Sequence, residues 1–255
     1  MLKKRLIGVI TVRRGWAVQS FGYRRYLPLG HAPILAENLD RWGVDEILVL
    51  SIDRTRLGAG PDFELLRALG SLGLSTPLTY GGGIRTAAEA VAVIAAGAER
   101  VCVDALLRAA PAAVAEIAAR AGAQAVVGAL PLGRKADRLY WLDYRSGSSV
   151  PLATADLALF SRRVVSEALL IDWRNEGRER GFDPELVRRF PLTDVPLIAF
   201  GGVSEPGQID ELLGDQRVVA AGVGNFLAYR EHAVQKLRQH MAVSSVRTAV
   251  FSAGG

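Results

Sequence analysis

The chain has 255 residues, half of them hydrophobic, with 31 Lys and Arg against 26 Asp and Glu for a formal net charge of +5. That apolar share can bury a large core, and no apolar run reaches the roughly 18 residues needed to cross a membrane. The positive charge is scattered, with no nucleic-acid-binding motif beside it, which favours a small anionic partner over DNA or RNA.

Arg5 to Val12 reads as a first strand. A long loop follows from Arg13 to Gly30, in which Arg13, Arg14, Arg24 and Arg25 stand among Trp16, Phe21, Tyr23 and Tyr26. It fits a lid over a phosphorylated ligand and equally a solvated surface loop. Ala32 to Trp42 has helical spacing and stops at Gly43, a C-cap signal. The second strand, Glu46 to Ser51, leads to a helix over Pro61 to Gly70. The third, Pro77 to Tyr80, ends in Gly81-Gly82-Gly83, and Thr86 can cap the next helix, which runs to about Ala96. A strand over Val101 to Asp104 and a helix over Pro111 to Arg120 close the first half.

The second half opens with a strand near Ala125 to Ala129 and a polar hairpin within Arg134 to Ser149, then a helix over Thr154 to Arg163. A strand over Ala168 to Asp172 and a charged loop from Arg174 to Arg180 precede a helix over Pro184 to Arg189. Strands over Pro196 to Phe200 and Val218 to Gly222 and a helix over Glu231 to Met241 complete it. Residues 243–255 are expected to form a flexible tail.

The two halves match. Thr76-Pro-Leu-Thr-Tyr-Gly-Gly-Gly-Ile84 resembles Val195-Pro-Leu-Ile-Ala-Phe-Gly-Gly-Val203, with Pro77 and Pro196, and Gly82 and Gly201, each 119 positions apart. Three further apolar runs repeat in order at nearly the same offset. Four strands per half, alternating with helices, predict a single closed (β/α)8 barrel of the α/β class over residues 1–242, with half-barrels about 1–122 and 123–242.

In such a barrel, paired glycines at strand ends let the backbone approach a phosphate. Gly201, Gly202, Gly222, Gly224 and Asn225, after the seventh and eighth strands, form the expected anion site. Gly82 and Gly83 are its weaker twin, because Asp104 beside them would repel an anion. Asp172, closing the sixth strand, is the best-placed carboxylate for acid–base work, although a carboxylate satisfied by backbone N–H groups fits equally. The single Cys102 lies within a strand and reads as core; it excludes an internal disulfide and suits a reducing cytoplasm. No metal-ligand spacing or cofactor motif is present, so neither a metal nor a cofactor is expected. Arg5, Glu46, Arg100 and Glu167 stand at strand entrances with alternating sign, as an ion-pair ring on the barrel base would.

With those residues in view, the chain resembles the cyclase subunit of imidazole glycerol phosphate synthase. The likeness rests on Met-Leu-Lys-Lys-Arg5, Gly-Val-Asp-Glu46, Gly-Gly-Gly-Ile84-Arg85, Gly-Ala-Glu-Arg100 and Gly201-Gly202. It implies a glutaminase subunit on the N-terminal barrel face and an ammonia gate of Arg5, Glu46, Arg100 and Glu167. The family's general acid and base positions fall on Thr11 and Leu130, and its late loop-1 lysine on Gln19, so the histidine-pathway cyclisation is expected to be lost. Gly60-Pro-Asp-Phe-Glu-Leu65, Tyr80-Gly-Gly-Gly-Ile84 and Ala-Ala-Gly222 with His232-Ala-Val resemble the cyclase-like branch that modifies acetamidino sugars of surface polysaccharides. That likeness implies ammonia delivery toward a nucleotide-activated sugar, with a third, amidating enzyme as partner. Two alternatives remain: a barrel that still converts phosphosugars through Asp172, and a non-catalytic scaffold that activates a glutaminase.

Overall fold

The computed structural model describes residues 4–228 and 233–240. Eight parallel strands close on themselves: β1 (Arg5–Arg13), β4 (Glu46–Ser51), β5 (Leu78–Gly81), β6 (Arg100–Val103), β7 (Val126–Lys135), β10 (Glu167–Asp172), β11 (Leu197–Phe200) and β12 (Val218–Val223), with β12 pairing back to β1. The fold is a (β/α)8 barrel, as the alternation of strands and helices predicts. Its strands are apolar on both faces, because one face fills the barrel and the other meets the helices.

Residue parity along each strand decides which face a side chain takes. Ile7, Val9, Leu48, Leu50, Cys102, Val127, Ala129, Leu169, Ile171, Ile198, Phe200 and Ala220 form the inner cluster. Their neighbours Leu6, Ile10, Val49, Val101, Leu130 and Leu170 pack outward with the helices. Cys102 is buried among the inner residues, and burial pushes its thiol well up, consistent with a core role.

Several helices match their sequence signals closely. Helix α1 (Ala32–Trp42) ends at Gly43 with φ 78°, a left-handed cap that glycine adopts without strain. The first turn after β4 is α2 (Arg54–Leu57), followed by α3 (Phe63–Gly70). Helix α4 (Ala87–Ala95) starts in a capping box in which Thr86 and Glu89 bond each other's backbone. After β6 come α5 (Leu106–Ala109) and α6 (Pro111–Ala121). The helix expected over Thr154 to Arg163 is instead a 3-10 turn, Thr154–Leu157, running into α7 (Ala158–Ser161). Helices α8 (Glu185–Arg188), α9 (Pro206–Gly214) and α10 (Ala233–His240) follow. His232 and the tail over 243–255 lie outside the described residues.

The segment from Arg13 to Gly30 is not an open loop. β2 (Trp16–Phe21) and β3 (Arg25–Gly30) form an antiparallel hairpin continuing from β1. The predicted second hairpin is present as β8 (Arg138–Asp143) and β9 (Ser148–Pro151), continuing from the long β7. Each half of the barrel thus carries an antiparallel extension on its first strand.

Candidate functional site

At the barrel base, Arg5, Glu46, Arg100 and Glu167 are the first residues of β1, β4, β6 and β10, and all point inward. They close into a ring of alternating charge. Arg5 Nη1 donates to Glu46 Oε2 at 2.9 Å and Arg5 Nη2 to Glu167 Oε1 at 2.6 Å. Arg100 Nη1 meets Glu167 Oε2 at 2.8 Å and Glu46 Oε1 at 3.6 Å. The Thr79 hydroxyl completes Glu46 at 2.6 Å, and Ser166 Oγ accepts from Arg100 at 2.9 Å. Burial would raise the Glu167 carboxyl, but the charges of Arg100 and Arg5 outweigh it and hold the group below its ordinary range. Two cations and two anions cancel, so the ring can sit in a partly dry setting.

At the opposite end, a cavity of about 320 Å3 opens on the side of β4, β5 and β6. Tyr23 and Tyr26 from the first hairpin and Leu142 and Tyr144 from the second wall it, with Arg13, Arg14, Arg24 and Arg56 also lining it. On its lining the Tyr144 hydroxyl donates to Asp104 Oδ2 at 2.6 Å, and the Ala105 N–H donates to Oδ1. Burial pushes the Asp104 carboxyl up, opposed by those hydrogen bonds, and pushes the phenols of Tyr144 and Tyr23 up as well. From the sequence Asp104 stands out as a mouth carboxylate and as a charge that would repel an anion. Its pairing with Tyr144, 40 positions away, carries no local signal.

Two expected positions are corrected. Asp172 does not face the mouth, because parity turns it away from the barrel axis and Ile171 lines the cavity instead. Its carboxylate is 2 % exposed and accepts from Asn175 Nδ2 at 2.8 Å and from the Asp183 N–H at 2.9 Å, so it ties down the 173–183 loop. Burial raises it nonetheless. Leu130 likewise packs outward among the helices. The mouth-facing residues of β7 are Ala129 and Pro131, one position to either side. Thr11 shares the inward parity of Ile7 and Val9 and stays on the mouth side of β1. Neither Thr11 nor Pro131 can exchange a proton near neutral pH.

The paired glycines also have a packing reason. A Cβ on Gly82 would lie 2.3 Å from the Ser51 carbonyl oxygen, and one on Gly83 2.1 Å from that of Gly60. On Gly201 it would meet the Asp172 carbonyl at 2.6 Å, and on Gly202 the Phe182 nitrogen at 2.7 Å. Each pair lets its strand end press against the preceding loop. Gly202, Gly224 and Asn225 do share a second concavity of about 340 Å3 with Gln19, Arg178 and Ser204. Gly222 lies deeper, where a Cβ would meet Phe200 and Val9. The Asn225 side chain is committed: it donates to the Ser20 carbonyl at 2.7 Å and accepts from the Ser20 N–H. With Glu176, which accepts from the Ser20 hydroxyl at 2.8 Å, it pins the first hairpin over the mouth.

Among the described residues no group of His, Cys, Asp and Glu could hold a metal ion, and no helix is long and apolar enough to cross a membrane. The family model described as histidine biosynthesis protein matches residues 5–233. The imidazole glycerol phosphate synthase subunit HisF of Acidobacterium capsulatum is 30% identical over 250 residues, covering 96% of this chain and 98% of that protein. The putative imidazole glycerol phosphate synthase subunits hisF2 of Vibrio vulnificus and Campylobacter jejuni are each 28% identical, covering 99% and 95% of this chain and 93% and 99% of their own lengths.

Proposed function

The chain belongs to the histidine biosynthesis protein family, and from that premise we propose that it is the barrel subunit of a glutamine-dependent amidotransferase that conducts ammonia without cyclase chemistry of its own. A glutaminase docks on the N-terminal face, and its ammonia passes the Arg5–Glu46–Arg100–Glu167 ring into the barrel. The observation that carries the reading is that ring: its members close on one another across four strands at the end where a partner's ammonia would enter. The likeness to the acetamidino-sugar branch makes the acceptor a nucleotide-activated sugar of surface-polysaccharide synthesis, with a third, amidating enzyme at the mouth. The test is what co-purifies from the native organism. A glutaminase whose glutamine hydrolysis rises when the barrel is added back is the expected result. Recovery of the barrel without any glutaminase, and no stimulation of a reconstituted one, would sink the proposal.

The anion site of this reading is the second-half groove at Gly202 and Gly224. At the start of α9 the N-cap Glu205 makes no side-chain cap bond and Gln208 Oε1 takes only the Ser204 N–H at 3.1 Å, so the remaining first-turn N–H groups can face an anion. In the first half the corresponding donors are taken: Gly83 N–H donates to Thr55 Oγ1 at 3.0 Å, and Thr86 with Glu89 closes the start of α4. A crystal soaked in phosphate should therefore show an anion at Gly202 and Gly224 and none against Gly82 and Gly83. Equal occupancy on both sides would contradict the assignment.

A further inference from the structure

The tip of the first hairpin and the loop after β10 enclose an open groove of about 480 Å3. Phe21, Arg24, Trp173, Arg174, Glu176 and Arg178 line it, and none of these belongs to the eight barrel strands. Its walls are fixed to each other: the Gly22 N–H donates to the Glu176 carbonyl at 2.9 Å, and the Ser20 hydroxyl to Glu176 Oε2 at 2.8 Å. Glu176 supplies the one carboxylate of the lining, but it is 3 % exposed and committed to Ser20. Neighbouring Glu179 lines the concavity at Gly202 instead. The three guanidinium groups are exposed, and among the described residues none of them makes an ion pair. Arg174 lies 5.3 Å and Arg24 6.0 Å from the Trp173 ring, which orients both without neutralising either. Three like charges held along one trough repel one another until an anion lies between them.

We propose that this groove docks an acidic segment of a partner protein, its carboxylates on Arg24, Arg174 and Arg178 and an apolar side chain on Phe21 and Trp173. Arginine forks match carboxylates bidentately, and an extended chain sends alternate side chains to one side, as an open trough needs. Arginine and tryptophan are also the residues that concentrate binding energy where proteins meet. A lipid surface fits less well, because Phe21 and Trp173 are half-buried in the groove and do not project toward a bilayer. The proposal rests on the ammonia-conducting reading only for the bearer of the segment, which would be the enzyme that takes up ammonia at the mouth end.

Fluorescence anisotropy tests the groove on the full chain without any glutaminase, so its failure is separate from failure of the ring. The probe is a labelled decapeptide of two Glu-Asp-Phe-Glu-Asp copies, compared with its neutral Gln-Asn-Phe-Gln-Asn counterpart. The acidic peptide is expected to bind at least about tenfold more tightly, and to weaken as salt screens the charges. Arg174→Gln/Arg178→Gln should weaken it by about ten- to hundredfold. Arg178→Gln alone should fall in between; its side chain makes no hydrogen bond that holds the loop. Arg67→Gln/Arg120→Gln, which removes the same charge from exposed positions on α3 and α6, should change it little. Equal losses in the two double variants would reduce the effect to the protein's overall positive charge and overturn the proposal. So would equal binding of the two peptides, no binding of either, or uptake by phosphatidylglycerol vesicles without binding of the peptide.

Discussion

Imidazole glycerol phosphate is not expected to form when this protein is given the histidine-pathway nucleotide and free ammonia. The cyclisation needs proton transfer at two mouth positions, which the family resemblance places at the ends of the first and fifth barrel strands. Thr11 holds the first, and on the fifth the mouth-facing residues are Ala129 and Pro131. A threonine hydroxyl does not ionise near neutral pH, and alanine and proline side chains carry no acidic proton. Removing one positioned acid or base typically costs about 100- to 10,000-fold in rate, so the loss of both leaves nothing a growing cell could use. Because paired groups act as a unit, the two losses need not multiply. The check is growth of a strain lacking its cyclase: rescue by this chain would refute the expectation. Asp104, at the end of β6, and Tyr144 carry protons on the cavity wall, but they stand three strands around the barrel from Thr11 on β1 and do not restore the pair.

Glu167→Ala is expected to damage both stability and coupling. Taking one member from a fully buried ion pair costs about 3–5 kcal/mol, because the partner charge stays behind without compensation. The ring side chains are 15–16% exposed apart from Glu46 at 5%, so solvent softens the loss toward the low end of that range. A ring that only stabilises predicts lost stability and nothing more. A ring that also passes ammonia predicts a leak: glutamine hydrolysis by the partner continues while less of its ammonia reaches the acceptor. The ratio of glutamate formed to amidated product, measured where wild type and variant are both folded, separates the two. If Glu167→Ala and Arg5→Ala keep the wild-type ratio, the ring is structural alone. The pH profile has a defined sign. Arg100 and Arg5 hold the Glu167 carboxyl below its ordinary value of about 4.3, so its stabilisation is complete above that value. It is lost as pH falls through the depressed folded value, and in Glu167→Ala that acid-side component should vanish.

The barrel was legible because its information is local and repeated. The second barrel strand and the first helix have the boundaries that the apolar pattern and Gly43 dictate, and the ring could be named from strand-entrance charges of alternating sign. The site was less legible, for a reason of parity. Strand side chains alternate between faces, so placing an active position one residue away turns it from the mouth to the helices. Leu130 and Asp172 were both lost that way, and their neighbours Pro131 and Ile171 line the cavity. The hairpin over 16–30 hid because its arginines and aromatics look like a solvated loop, whereas Glu176 and Asn225 hold it at Ser20 from 156 and 205 residues away. The Asp104–Tyr144 contact is equally non-local and could not be read from spacing.

The base ring has one more property, which concerns how the barrel is put together. Three of its members, Arg5, Glu46 and Arg100, belong to the first half-barrel, and only Glu167 comes from the second. A first half on its own carries two guanidinium groups and one carboxylate in that place, an excess positive charge with nothing to meet it. The second half alone carries the complementary anion. The ring is thus a seam as well as a plug: it gives each half an electrostatic reason to accept the other, and it reaches neutrality only when the fourth side chain arrives. During synthesis the first three leave the ribosome well before Glu167, so the ring can close only once β10 is in place.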